Sequence, residues 1–270
     1  MLDRLKAAAR RKLQTALAEV VETELARSQQ RLEDMQRENV AILDRLSDRL
    51  SEVNDRLQQL EQHARRDMSY SLDIVAAGES AAFVLEHLPT VPVFWHPHDT
   101  LRFALDEVEG PGLAVEFGVA GGTTLAIIVD AVGSDRRVVG FDTFTGLPKT
   151  WRTGFPAGHF AQDAPPKVAG AQSMTGLFED TLPGFLAANG EQVAFMHLDA
   201  DLYSATKTVL DLIGDRLAPG AVLLFDEFFN YPGWQRHEFR AWKEFVARTG
   251  RTFDYLAYTG NNEQVVIRLH

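Results

Sequence analysis

Cysteine is absent from all 270 residues. That removes disulfide scaffolding, a thiolate nucleophile and every Cys-based zinc or iron–sulfur site, leaving only His and carboxylate side chains as metal ligands. The opening quarter lacks more. No glycine precedes Gly78, no proline precedes Pro89 and no aromatic precedes Tyr70. Such a stretch has neither the turn residues nor the bulky core side chains of a globular unit and reads as one long helix. Positive charge is scarce in the remainder: residues 1–70 carry 13 Lys+Arg and 13 Asp+Glu, so the net charge of −11 falls on residues 71–270, with 14 basic and 25 acidic side chains. This surface repels a phosphate backbone and argues against nucleic acid as the main partner. Long apolar runs are missing as well, so no transmembrane segment is expected. The basic start (Arg4, Lys6, Arg10, Arg11, Lys12) is not followed by the apolar stretch of a signal peptide, and a cytoplasmic protein is the expectation.

What the first 69 residues do contain is a heptad pattern. Leu43, Leu46, Leu50, Val53, Leu57 and Leu60 are spaced 3-4-3-4-3, the a/d repeat of a coiled coil, with Glu52–Arg56 and Glu33–Arg37 as supporting i,i+4 pairs. Upstream the register loosens where Gln29, Gln36 and Asn39 fall on the seam beside Leu25 and Leu32. At 1.5 Å per residue such a helix spans roughly 100 Å, more than a compact domain covers, so partner helices and a homo-oligomer are expected; a solvated helix without a partner is the alternative. The first dozen residues, with Leu2, Leu5, Leu13 and Leu17 on one side, have a weak membrane-surface character, and a plain solvated helix end is the simpler reading.

Beyond Tyr70 the pattern changes to alternating strands and helices. Residues 70–111 form a helical lead-in. Gly112–Phe117, Arg137–Asp142, Val193–Leu198 and Ala221–Phe225 are short apolar or β-branched runs, followed by helical patterns near 122–132, 176–189, 204–217 and 235–249. Parallel strands with helical crossovers make a doubly wound, mostly parallel α/β sheet covered on both faces. Phe253–Tyr258 and Gln264–Leu269, joined by Thr259-Gly260-Asn261-Asn262, predict a closing antiparallel hairpin. Between Leu147 and Gln172 lie four prolines and three glycines. A loop that long is usually functional and would hang over the strand ends as a lid.

The first of these strands ends in Glu116-Phe117-Gly118-Val119-Ala120-Gly121-Gly122-Thr123, at the place where a parallel sheet binds ligands. The dinucleotide fingerprint fails, because Ala120 and Thr123 occupy glycine positions. A carboxylate at the strand end, Glu116, suits a cationic ligand better than a phosphate. Asp142 closes the next strand, where an acidic side chain takes the hydroxyls of a ribose. A cationic end, a ribose and no phosphate describe S-adenosylmethionine.

At these residues the chain resembles the class I S-adenosylmethionine-dependent methyltransferases, and among them the macrocin O-methyltransferase group with its mycinamicin and noviose sugar methyltransferases. The likeness is carried by Val115–Gly122, by Gly140-Phe141-Asp142-Thr143-Phe144-Thr145-Gly146-Leu147-Pro148, by Gly176–Pro183, by His197-Leu198-Asp199-Ala200-Asp201-Leu202-Tyr203-Ser204, and by Phe225–Tyr231. These five motifs, in order, cover residues 112–270; the coiled coil lies outside them. The resemblance implies a Rossmann-like sheet of seven strands. It also implies that Glu116 faces the amino group of the methionine moiety, with Gly118, Ala120 and Gly121 passing beneath it. Asp142 and Thr143 would lie at the ribose, and Phe178 and Glu179 at the adenine.

Methyl transfer to a hydroxyl requires loss of the acceptor proton, hence a positioned base, a metal ion, or both. Asp199 and Asp226 end neighbouring strands and Glu227 is adjacent, so three carboxylates converge at the carboxyl edge, a hard-oxygen set suited to Mg²⁺. The relatives bind a divalent metal at matching strand ends, commonly through Asp-Asp or Asp-Asn where this chain has Asp226-Glu227. The alternative is that Asp226 caps the following helix and Glu227 makes a salt bridge, with Asp199 alone as base. Asp201 reads as a supporting or capping residue. His197, on the strand of Asp199, is the competing base, while a buried strand histidine is more often a core residue. His96 and His98 mark a surface or substrate-entry loop, and Trp234 and His237 are candidates for the acceptor pocket. The lid carries Trp151, Arg152, Phe155, His159 and Phe160, the mix that stacks on and hydrogen-bonds sugar rings. The expected acceptor is thus a hydroxyl of a sugar, a glycosylated natural product or a glycan. A phenolic or catechol acceptor, and a non-catalytic coiled-coil adaptor with a relict cofactor domain, are the alternatives.

Overall fold

The computed structural model describes residues 2–270; the side chains of residues 1–5 and 7 are outside that description. Leu2 and Leu5, on which the membrane-surface reading partly rests, therefore lie outside the described residues. Two compact units divide at Asp67/Met68. The first is one uninterrupted helix, α1 (Leu2–Arg66), in keeping with a sequence free of glycine and proline. The a/d side chains Leu43, Leu46, Leu50, Val53, Leu57 and Leu60 are all exposed along it. Surface ion pairs follow the local i,i+3 and i,i+4 geometry, but Arg37 pairs with Asp34 at 2.9 Å rather than with the carboxylate of Glu33.

The second unit opens with α2 (Met68–His87) and α3 (Pro97–Asp106). His96 and His98 are structural here: His96 caps α3, its Nδ1 accepting from the backbone N–H of His98 at 3.2 Å. The sheet has eight strands rather than seven: β1 (Val93–Phe94), β2 (Leu113–Phe117), β3 (Val138–Asp142), β4 (Ala171–Thr175), β5 (Val193–Leu198), β6 (Leu217–Phe225), β7 (Phe253–Thr259) and β8 (Val265–Leu269). Their order is β1-β7-β8-β6-β5-β2-β3-β4. Only β8 runs antiparallel to its neighbours, β6 and β7. The eighth strand is the two-residue β1, which pairs with β7 at one edge. At the other edge β4, Ala-Gln-Ser-Met-Thr, carries no apolar alternation, and its pairing with β3 ends the lid at Gly170.

β2 and β5 are buried at every position, as parallel strands covered on both faces must be. Apolar side chains pack on both sides of the sheet, with Phe117, Phe141, Leu182, Met196 and Trp242 in one cluster and Leu101, Leu125, Ile128, Phe195 and Leu224 in the other. The helices between strands are α4 (Thr123–Val132), α5 (Phe178–Ala188), α6 (Tyr203–Ile213) and α7 (Glu238–Thr249). After β2 the chain builds outward to β3 and β4, then returns to place β5 on the other side of β2. The strand order reverses there, and in open α/β sheets the ligand crevice lies at the carboxyl ends beside such a reversal. Among the described residues no helix is long and apolar enough to cross a membrane.

Candidate functional site

Backbone hydrogen bonds stitch the strand ends together: Gly118 N–H donates to Phe141 O at 2.9 Å, Asp199 N–H to Phe117 O at 2.9 Å, and Asp226 N–H to Leu198 O at 2.8 Å. Gly118 has φ +93°, and a Cβ there would collide with the carbonyl oxygen of Asp199, so only glycine lets the β2 loop lie this close to the end of β5. Asp142 orders the same loop. Its Oδ2 accepts from Val119 and Ala120 N–H, each at 2.8 Å, and its Oδ1 accepts from Phe144 N–H at 2.7 Å. Three of about four lone-pair directions are thereby used, leaving one free.

These elements enclose a cavity of about 300 Å³. Gly118, Ala120, Asp142, Thr143, Phe178, Glu179, Asp199 and Asp201 all line it. Gly121 is not among its lining residues. From the lid, only Leu147, Pro148 and Phe160 reach it. The remaining lid residues are tied elsewhere. Arg152 donates both guanidinium arms to Glu263, at 2.9 and 3.1 Å, with its charge over the rings of Trp151 (4.0 Å), Tyr231 (4.5 Å) and Phe155 (5.0 Å). Trp234 belongs to the core, packed on Phe239 and Phe83 with ring centroids 4.9 and 5.6 Å away. It does not line this cavity. His237 borders Tyr231 and likewise is not at the cavity.

Two expectations are corrected by burial. Glu116 does not face the cavity: it is fully buried within β2, and its Oε1 lies 2.8 Å from Nδ1 of His197 on the adjacent strand. Burial pushes its carboxyl up, with His197 opposing the shift. His197 is equally sealed, and its Nε2 lies 3.4 Å from Oδ1 of Asp226. Burial alone would lower its pKa, yet the bonds to Asp226 and Glu116 outweigh it and hold the imidazole well above its usual value. With both ring nitrogens beside carboxylates and no surface on the cavity, His197 is not placed to meet a ligand there.

Asp199, Asp226 and Glu227 are brought together, each offering an oxygen within 4.8 Å of the others. Crowded like charges in a buried site cost free energy unless a proton or a cation neutralises them. Burial, then Asp226, pushes Asp199 well up; burial, then Asp199, does the same to Glu227. Glu227 Oε2 is buried with no hydrogen-bond partner. An orphaned carboxylate oxygen beside two further carboxylates fits a hard divalent cation. The alternative roles are absent among the described residues: the charged groups acting on Glu227 are Asp199, Asp201, Asp226 and Glu238, none of them basic, and α7 is preceded by His237 rather than capped by Asp226. Glu238, fully buried, holds the segment by accepting from Glu227 N–H and from the Thr206 hydroxyl, both at 3.0 Å.

Asp201 matters more than its sequence position suggested. It adopts φ +57°, is almost wholly buried, and borders the cavity two residues beyond Asp199. Burial, reinforced by Asp226, raises its carboxyl to about 7. Burial likewise raises Glu263 to about 7 and Glu238 to about 8. Unfolded carboxyls titrate near 4, so between roughly pH 4 and 8 the folded state binds more protons than the unfolded one and stability falls as pH rises. In a chelator, the calorimetric melting midpoint is expected to be lower at pH 8 than at pH 6. A midpoint that rises over this interval contradicts the assignment.

This strand order, with a glycine loop and acidic strand ends at the reversal, is that of a doubly wound, Rossmann-like α/β fold. Residues 115–228 match the family described as a methyltransferase domain. No curated protein matches the sequence. Among solved structures the chain is similar to the calicheamicin methyltransferase CalS11, with 24% identity, a TM-score of 0.51 and coverage of 81% of this chain and 92% of that one. It is also similar to the O-methyltransferase NovP, with 21% identity, a TM-score of 0.49 and coverage of 63% of this chain and 78% of that one. A Bacillus cereus O-methyltransferase in complex with SAH has 16% identity and a TM-score of 0.44, covering 79% of this chain and 96% of that one.

Proposed function

We propose that the chain is an S-adenosylmethionine-dependent O-methyltransferase of the macrocin-like type, acting on a hydroxyl of a sugar, a glycosylated natural product or a glycan with Mg²⁺ assistance. The observation that carries the reading is the opening of one cavity onto both the ordered glycine loop and Asp199 of the three-carboxylate cluster. The matched methyltransferase domain supports it. S-adenosylmethionine would supply an electrophilic methyl on a sulfonium, and Asp199, Asp226 and Glu227 would hold a divalent cation that would supply Lewis acidity toward the acceptor hydroxyl.

Transfer would exchange the cofactor's carbon–sulfur bond for a carbon–oxygen bond and would require the hydroxyl proton to leave, so this chain's residues would have to orient the acceptor and take that proton. Gly118 and Ala120 let the cofactor approach the backbone, and Asp142 offers its remaining acceptor direction to a ribose hydroxyl. Phe178 and Glu179 border the adenine end. With Asp199 committed to the cation, Asp201 is the carboxylate placed to take the proton. His197 keeps Asp226 aimed at the cluster. The lid excludes water over the reacting atoms, and α1 pairs with a second copy through its heptad seam.

Calorimetry with S-adenosylhomocysteine in the presence of Mg²⁺ is expected to give saturable one-site binding; no heat at any Mg²⁺ concentration would sink the enzymatic reading. Transfer of a labelled methyl group to glycosides, and not to catechols, is the expected acceptor pattern. The reverse pattern removes the sugar assignment and leaves O-methylation standing.

A further inference from the structure

α2 has two unlike faces. One packs on the methyltransferase domain: Ala76 and Ser80 are buried, Ser80 Oγ accepts from Asn230 N–H at 2.8 Å, and Phe83 meets Phe239 edge-on with ring centroids 5.6 Å apart. The other face is apolar and open. Ile74, Val75 and Leu85 are 57, 55 and 76% exposed, and a Cβ on Gly78 would meet nothing within 4 Å.

The spacing of this open face is not arbitrary. Ile74, Gly78, Ala81 and Leu85 follow a 4-3-4 pattern. Counting back in sevens, Ile74 and Ala81 share the phase of Leu46, Val53 and Leu60, while Gly78 and Leu85 share that of Leu43, Leu50 and Leu57. The a/d repeat read in α1 thus recurs in phase in α2, with only Asp67 between the two helices.

Charge identifies the occupant. The acidic residues of α2, Asp73, Glu79 and Glu86, all fall outside the a, d, e and g positions of this repeat, so within α2 a second identical helix meets no like charge; Asp67, between the helices, is the acidic residue at a d position. In the repeat upstream, Arg56 at g and Glu61 at e are five residues apart, the spacing that sets opposite charges together between parallel, in-register chains. Small side chains at Gly78 and Ala81 admit close approach of a partner backbone.

We propose that a second copy of this chain docks in parallel on the open face of α2, through Ile74, Gly78, Ala81 and Leu85, so that the methyltransferase domains themselves pair. The proposal extends the self-association read for α1 but is tested apart from it, and calorimetric failure with S-adenosylhomocysteine leaves it untouched.

The absence of cysteine makes the test clean. Full-length Ala81→Cys, Leu50→Cys and Asp73→Cys variants are oxidised at equal concentration and run on non-reducing gels. Ala81→Cys is expected to give a covalent dimer as the main species, and Asp73→Cys, on the same helix but off the seam, essentially none. Adding Ile74→Glu is expected to cut the Ala81→Cys cross-link at least tenfold while sparing that of Leu50→Cys. Cross-linking at Leu50→Cys but not Ala81→Cys overturns the α2 interface and leaves pairing through α1. Cross-linking at neither position overturns both, and equal cross-linking at Asp73→Cys and Ala81→Cys shows random collision and overturns the α2 interface.

Discussion

Asp199→Asn is expected to lower turnover by about 10²–10⁴-fold while leaving S-adenosylhomocysteine affinity within a few-fold of wild type. The substitution preserves size and removes one of three crowded carboxylates whose oxygens lie within 4.8 Å. Gly118, Asp142 and Phe178, which also line the cavity, are unchanged. A divalent cation should then bind poorly, because hard cations depend on the number and charge of their oxygen ligands. The metal-free variant should also melt higher than wild type at pH 8, since Asp199 is held well above the usual carboxylate range by burial and by Asp226, and its ionisation is costly there. Three measurements check this: labelled-methyl transfer, calorimetric titration with Mg²⁺ or Mn²⁺, and thermal unfolding in a chelator. Retained turnover with unchanged metal binding would remove Asp199 from the reaction centre. Lost cofactor binding with intact metal binding would assign Asp199 to the cofactor rather than to the cation.

Glu116→Ala is expected to act on folding rather than on the ligand. Glu116 and His197 are paired registers of adjacent central strands, joined at 2.8 Å with essentially no solvent exposure. Removing Glu116 leaves the buried His197 with Asp226, 3.4 Å away, as its remaining carboxylate, and breaking a buried pair typically costs about 3–5 kcal/mol. Chemical unfolding should report that loss. Replacing both members, Glu116→Leu with His197→Leu, is expected to recover much of it, because two well-packed apolar side chains often equal a buried pair. The double variant should still lose activity, since Asp226 no longer has the imidazole 3.4 Å from its Oδ1. If Glu116→Ala left stability intact and weakened only S-adenosylhomocysteine, Glu116 would face the ligand after all.

The pH dependence of stability and the pairing of α2 probe different layers of the molecule. The first reads the crowding of carboxylates at the strand ends; the second reads a surface that plays no part in the chemistry. Neither outcome can be mistaken for the other, because Ile74 and Leu85 are exposed on α2 whereas Asp201, Glu238 and Glu263 belong to the strand ends and the segments behind them.

The sequence by itself determined what is local. A stretch without glycine or proline had to be one helix, and it is. Short apolar runs broken by glycine turns gave the parallel strands, and the acidic residues closing them, Asp142, Asp199 and Asp226, stand at the carboxyl edge because a strand's end follows from its own residues. Tertiary structure decided everything that depends on which strand lies beside which. Glu116 reads as a ligand-facing carboxylate until β5 inserts next to β2 and brings His197, 81 residues away, against it. Arg152 reads as a free sugar-binding cation until Glu263, 111 residues on, takes both its arms. The left-handed turn that sets Asp201 at the cavity, and the pairing that makes a strand of Ala171–Thr175, likewise have no signature in residue type. Periodicity and turn chemistry act over a few residues, whereas burial and partner choice come from strand order, which no local pattern encodes.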